Sequence, residues 1–283
     1  MPSKSTIFQH YRKSLERAGL STICENSLIC PLCWNECPYD LLSMEHIVPG
    51  SVGGTSQILT CIKCNNEHGT RLDAHLAGFQ TDSDSFKGKG VFAAELIINE
   101  KKVAAELEWA NGAKNFTIIE KASNPRNIAA IQQDFKDGIV SQLNVKFRYS
   151  YNKNRMHLAV LRCAYLILFK CHGYEYAKHS VIQTVRKRIF DPNTIEPSLA
   201  SLIIGMEMFN PPEDKQHFVA PGELNGVPFF LVIIRVKQKT TSYLGAFMPI
   251  PHARSEDFFS AMKSFASKRE QHKFNIPIRC MYT

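Results

Sequence analysis

Hydrophobic positions along the 283-residue chain change their period several times, and each change predicts an element. Ile7 to Leu20 reads as a short helix, with Leu15 on its apolar side and Gly19 near its end. Tyr39 to Ile47 predicts a strand, Pro49 to Gly54 a loop and Ile58 to Thr60 a short return strand. Residues 65–77 predict a helix with Leu72 and Leu76 on the buried side, which completes a β-β-α unit. Gln80 to Gly90 is polar and carries glycines, the composition of a linker. Val91 to Ile119 alternates in short apolar runs, split by Asn99 to Lys102 and by Asn111-Gly112, a hairpin signal. Residues 126–137 read as helical and Leu143 to Tyr151 as a strand. Arg155 to Cys171 is a largely apolar helix ended by Gly173, and Glu175 to Phe190 a second helix closed by Asp191-Pro192. Phe229 to Val236 and Ser242 to Pro249 predict strands. Ser255 to Gln271 predicts a last amphipathic helix with a serine cap and Glu256-Asp257 in its first turn. There is no internal repeat and no low-complexity tract.

Composition sharpens this outline. Hydrophobic residues make up 44% and charged residues 21%, the mixture of a folded chain rather than a disordered one. The first nineteen residues are too polar for a signal peptide. The longest apolar stretch, Leu158 to Phe169, is interrupted by Arg162 and is too short for a span of roughly 18 residues. Export and membrane insertion are therefore not expected, and a cytoplasmic protein is. Cysteines in a reducing compartment are metal ligands or core residues more often than disulfides. Six of the nine cysteines fall before residue 78, whereas the charge divides the other way. Residues 1–77 hold six basic and seven acidic side chains, a net −1, so residues 78–283 carry +9, for +8 overall. These divisions predict an N-terminal helix (1–25), a cysteine module (26–77), a linker (78–90) and a basic domain (91–283).

Cys30-Pro-Leu-Cys33 and Cys61-Ile-Lys-Cys64 are two Cys-x-x-Cys knuckles. Two intervening residues let one tight turn present both sulfurs to one ion, and two such turns complete the tetrahedron that zinc prefers. Cys24 and Cys37 flank the first knuckle as spares. A four-cysteine zinc has no open position and is structural, so any chemistry belongs to the residues the knuckles frame: Glu45-His46-Ile47-Val48-Pro49, then Gly53-Gly54, and Asn65 to His68 after the second knuckle.

On these residues, segment 26–77 resembles an HNH endonuclease, the ββα-metal nuclease family. It is close to the subgroup whose motif runs Glu-His-Ile-x-Pro, Gly-Gly, Cys-x-x-Cys-Asn. The resemblance implies an α+β protein: a zinc-stabilised ββα-metal (HNH) module followed by a mixed α/β C-terminal domain. It also implies a metal-dependent nuclease that hydrolyses phosphodiester bonds in DNA. His46 stands where the family places its general base, and histidine titrates near working pH. Glu45 is a hard oxygen donor suited to Mg²⁺ or Mn²⁺, at a position where the family more often has Asp or His. Asn65 stands where the family places its final metal ligand, and His68, one turn on, is a second ligand or a phosphate contact. The middle Asn of the motif, which pins the loop, is replaced by Ser56, followed by Gln57, and either can hydrogen-bond the loop instead. An ideal strand points Glu45 and His46 to opposite faces, so joint action requires the strand to twist or end there.

The basic part offers nucleic-acid contacts. Lys146 and Arg148 share one strand face opposite Phe147, Tyr149 and Tyr151, with Lys153 and Arg155 following. The competing reading is a sheet with an aromatic core side and a solvated cationic side. Arg186, Lys187 and Arg188 end a helix, where they serve phosphate, the helix dipole or both. Arg235, Lys237 and Lys239 share a strand alternation, and Lys263, Lys268, Arg269 and Lys273 belong to the last helix. The expected partner is DNA. A homodimer or a partner protein in a restriction or phage-defence system is left open. The alternatives are a non-catalytic, zinc-stabilised DNA-binding protein and a zinc module for protein interaction.

Overall fold

Apolar residues at helical spacing begin the fold. Ile7, Phe8, Tyr11 and Leu15 form the buried stripe of α1 (Lys4–Arg17), whose N-terminus is capped by Ser3 Oγ accepting from Thr6 N at 3.1 Å. The computed structural model describes residues 2–110, 115–120, 125–140, 142–191, 201–206, 216–252, 254–267 and 281–282. The chain divides into two compact units.

The first unit comprises residues 1–77, 153–237 and 241–283. After α1 come a small hairpin, β1 (Ser27–Ile29) with β2 (Glu36–Pro38), and a second one, β3 (Leu42–His46) with β4 (Gln57–Cys61). Helix α2 (Ile62–His68) follows β4 directly, then one wider π-helical turn over Gly69–Asp73, then α3 (Ala74–Phe86). The expected β-β-α unit is present, with a 3-10 turn at Tyr39–Leu41 in place of the start of the predicted strand. Helix α5 (Lys153–Ala177) is buried on every side from Leu158 to Phe169, as its all-round apolar sequence requires. Gly173 stands inside it at φ 66° and ψ −152°, breaking the helical course. Helix α6 (Ser180–Phe190) follows. The unit also holds an antiparallel five-stranded sheet in the order β13–β10–β11–β12–β9. Its strands are β9 (Ile203–Met206), β10 (His217–Leu224), β11 (Val227–Lys237), β12 (Thr241–Pro249) and β13 (Met281–Tyr282). Helix α7 is described over Phe258–Ser267.

The second unit comprises residues 78–152 and 238–240. Its antiparallel sheet runs β7–β6–β5–β8: β5 (Val91–Ile98), β6 (Lys101–Ala110), β7 (Asn115–Glu120) and β8 (Leu143–Phe147), with α4 over Pro125–Lys136. Phe92, Leu96 and Leu107 form its core with Val145 and Phe147.

Two expectations give way here. The linker over 78–90 is helical as far as Phe86, and its polar residues are the helix's buried contacts. Asp84 accepts from Gln80 Nε2 (2.8 Å), Lys239 N (3.0 Å) and Thr240 N (2.9 Å), and Asp82 accepts from Ser150 N at 2.9 Å. The single basic domain over 91–283 does not form, because residues 153–237 and 241–283 pack with residues 1–77. The N-terminal helix belongs to that same unit. Asn111-Gly112, Lys268, Arg269 and Lys273 lie outside the described residues.

Gly173 admits no side chain. A Cβ there would stand 1.9 Å from Ser14 Oγ, and that oxygen accepts from Tyr174 N at 3.0 Å. Gly173→Ala is expected to lower the unfolding free energy by about 1–3 kcal/mol, the range for a non-glycine residue forced into the left-handed region. Urea unfolding of the variant beside wild type checks this.

Candidate active site and zinc centre

The zinc centre grows from two turns. Cys30 and Cys33 lie between β1 and β2, in a turn closed by Trp34 N donating to Cys30 O (2.9 Å) and Cys30 N to Asn35 O (2.8 Å). Cys61 ends β4 and Cys64 lies in the first turn of α2, with Cys64 N donating to Cys61 Sγ at 3.4 Å. All four Sγ atoms lie within 4.8 Å of one another, and those of Cys33 and Cys61 are 3.9 Å apart. Tetrahedral zinc with ~2.3 Å bonds needs sulfurs about 3.8 Å apart, so the quartet fits the ion and leaves it no open position. Cys37 stands apart from the quartet, its thiol pushed up to about 11 by burial, and Cys24 is exposed.

The first knuckle is also held by residues distant in sequence. Tyr165 Oη donates to Pro31 O at 2.7 Å, Arg186 Nη1 to Leu32 O at 2.7 Å, and Tyr174 Oη to Ile29 O. The Arg186 guanidinium lies over the Trp34 ring at 5.6 Å.

Between the knuckles, β3 and β4 pair His46 with Gln57 and Glu45 with Ile58. The strand ends at His46, which is exposed, while Glu45 just before it is buried. Gly54 lets the following loop fold back, since a Cβ there would fall 1.6 Å from Val48 O. Helix α2 is laid against β3 by Asn65, whose Nδ2 donates to Ser43 Oγ at 3.0 Å and to Met44 O at 3.4 Å. These contacts build a zinc-anchored hairpin and helix with a solvent-facing histidine at the strand end.

Residues 30–78 match the HNH endonuclease family. No curated protein and no solved structure matches the chain. The matched segment begins at the first zinc cysteine, so the HNH module carries the quartet, Glu45-His46 and Asn65 within it.

The metal ligands read from the sequence are arranged otherwise than expected. Glu45 is 3% exposed. It is ion-paired through Oε1 with Arg162 of α5, while Oε2 accepts from Thr60 Oγ1 at 2.7 Å. Arg162 is 0% exposed and reaches Asp73 with its other terminal nitrogen. Burial opposes its charge, but Glu45 and Asp73 more than restore it and hold the proton above its ordinary affinity. Burial also pushes Asp73 up to about 6, against the pull of Arg162. His68 is buried beside Phe190, ring centroids 6.2 Å apart, and its Nδ1 has no hydrogen-bond partner. Burial, with Arg162 and Arg71 nearby, lowers His68 to about 4, so it is neutral at pH 7. Among the described residues, the cysteine quartet is the one group of three or more His, Cys, Asp or Glu close enough to hold an ion. Of the three residues read as ligands, Glu45 is paired with Arg162, Asn65 bonds Ser43 and Met44, and His68 is buried beside Phe190. Glu45 is the buried counter-ion of a guanidinium 117 positions away, which no local motif signals.

The expected DNA contacts divide. Lys146 and Arg148 belong to the second unit, Lys146 on β8 and Arg148 just after it, where Arg148 pairs with Glu95 at 2.8 Å. Phe147 is half-buried and Tyr149 exposed, and both pack their rings on Phe92. Lys153 and Arg155 open α5 in the first unit. Arg186 is buried against the first knuckle and is a structural residue rather than a phosphate contact, because Leu32 O and Trp34 claim its guanidinium. Lys187 is exposed and Arg188 half-buried.

Removing one partner of the buried pair strands the other charge. Arg162→Met is expected to cost about 3–5 kcal/mol in urea unfolding, and the double change Arg162→Met with Glu45→Gln to cost less than the single one. Zinc analysis should give one ion per chain, and Cys64→Ser should lose both the ion and the folded HNH module.

Proposed function

We propose that the HNH module hydrolyses phosphodiester bonds in DNA, with His46 as the general base. The observation that carries this is His46 itself: exposed at the end of β3, beside the cysteine quartet's hairpin and within the matched segment, where the resemblance implies the base. Its imidazole takes a proton from water as that oxygen bonds to phosphorus. The P–O bond to the leaving group then breaks, and the departing oxygen takes up a proton from solvent. The scaffold fixes the direction from which the base approaches, which is where positioning lowers the barrier. HNH nucleases work with a divalent metal, and Mg²⁺ and Mn²⁺ are the ions to supply. An incoming ion has to compete with Arg162 for Glu45.

Exposed Lys153 and Lys187, with Arg155 and Arg188, are the proposed phosphate contacts of the first unit, and Lys146 that of the second. One ββα site cuts one strand, so cleavage of both strands would take a dimer or two successive events. Restriction or phage defence is the setting proposed for such an activity.

The engagement of Glu45 by Arg162 favours a second reading, a zinc-stabilised protein that binds DNA without cutting it. Plasmid nicking with Mg²⁺ or Mn²⁺ separates the two. The nuclease reading expects His46→Ala to lose at least about 10²-fold in rate at equal zinc content and equal melting temperature. If wild type nicks no faster than His46→Ala while both retard DNA in a gel, the second reading stands.

A further inference from the structure

The loop from Pro49 to Ser56 separates the two strands of the HNH hairpin and lies against the base. A side chain at Gly50 would come within 3.9 Å of His46 Cε1, and Ile47 N donates to Ser56 O at 2.9 Å. Whatever fixes this loop fixes the surroundings of the imidazole. Its internal backbone bonds gather at one end: Val52 N and Gly54 N donate to Pro49 O at 3.0 and 3.1 Å, and Gly53 N to Gly50 O at 3.1 Å. The amides of Thr55 and Ser56 look outside the loop.

Both find a partner in Gln216, some 160 residues further along. Its Oε1 accepts from Thr55 N (3.2 Å), Thr55 Oγ1 (3.3 Å) and Ser56 N (3.3 Å). Its Nε2 donates to Gly53 O at 2.6 Å. One carboxamide therefore serves three donors and one acceptor. Gln216 is itself fixed, because Arg235 N on β11 donates to its carbonyl at 3.0 Å and β10 begins at the next residue. Lys170 of α5 adds a second anchor, its Nζ donating to Ser56 Oγ at 2.6 Å.

We propose that Gln216 is a positioning residue of the His46 site, holding the 53–56 end of the loop against β11. It does from outside the HNH motif what the absent middle asparagine does from within. The proposal rests on the nuclease reading for its catalytic consequence but not for the geometry. Gln216 touches no reacting atom. It acts through the loop, and its loss misplaces the ground on which water and phosphate meet the imidazole.

The test compares wild type, Gln216→Ala, Gln216→Glu and His46→Ala as full-length, zinc-loaded chains. The readouts are plasmid nicking with Mn²⁺, melting temperature and amide hydrogen exchange. In Gln216→Ala, exchange at Thr55 and Ser56 is expected to quicken while the rest of β3 and β4 keeps its protection. Its kcat should fall by about 10-fold or more with KM and melting temperature unchanged. Gln216→Glu keeps an acceptor for all three donors but turns a carboxylate oxygen toward Gly53 O, so it should protect the Thr55 and Ser56 amides better than Gln216→Ala while recovering only part of the rate. Unchanged exchange at Thr55 and Ser56 overturns the proposal whether or not the protein cuts. So does wild-type kcat in Gln216→Ala when wild type is active, or a rate lost only in step with the melting temperature. Equal rates for wild type and His46→Ala sink the nuclease reading instead, and exchange alone then decides whether Gln216 holds the loop.

Discussion

A guanidinium with no solvent contact sets the terms for the rest of this structure. Arg162 sits within the long stretch of α5 that is buried on every side, where an unpaired charge would cost several kcal/mol. It is tolerable only because Glu45 and Asp73 both come to it. Those carboxylates belong to β3 and to the turn after α2, so satisfying one charge docks both sides of the HNH hairpin-helix unit onto α5. The module is then not a free-standing zinc fold. It is one wall of a core whose other wall lies more than eighty residues away in sequence.

Zinc and packing divide the labour within that core. The quartet ties the base of the hairpin to the start of α2, and the hairpin adds buried Leu42, Ile47, Val48, Val52, Ile58 and Leu59. The first knuckle then offers three outward carbonyls, those of Ile29, Pro31 and Leu32, which Tyr174, Tyr165 and Arg186 bind. A buried carbonyl left unpaired costs about as much as a lost hydrogen bond. The phenols and guanidinium thus fix the orientation of the knuckle as well as its position. Trp34, at φ 65°, is held in the left-handed region beneath the Arg186 guanidinium.

Much of this was legible in the sequence, and the misses share a cause. Local periodicity placed α1, the β-β-α unit, α5, α6 and the strands over Phe229–Val236 and Ser242–Pro249. Spacing alone brought four cysteines together. The features that sequence reasoning missed act across distance. The polar run from Gln80 reads as a linker because its partners, Thr240 and Ser150, lie far along the chain; with them it is a helix whose acidic side is buried. Glu45 reads as a metal ligand because its neighbours are those of a nuclease motif, while the cation that claims it comes from α5. Arg186 reads as a phosphate contact because it sits in a basic triplet. Gln216 carries no local signal, being one glutamine outside every motif. The local reading offers Ser56 or Gln57 in place of the customary asparagine, whereas the carboxamide that bonds the loop comes from Gln216.

The wide turn at Gly69–Asp73 carries a consequence of another kind. A π-helical turn takes one more residue than the α-helical turn it replaces. Deleting a single residue there would restore regular α-helix and leave the chain on either side in nearly the same phase, because the wide turn already absorbs the extra residue. What the wide turn changes is local: it carries Asp73, whose carboxylate reaches Arg162. A deletion inside it is therefore felt at that ion pair before it is felt in the course of the helix.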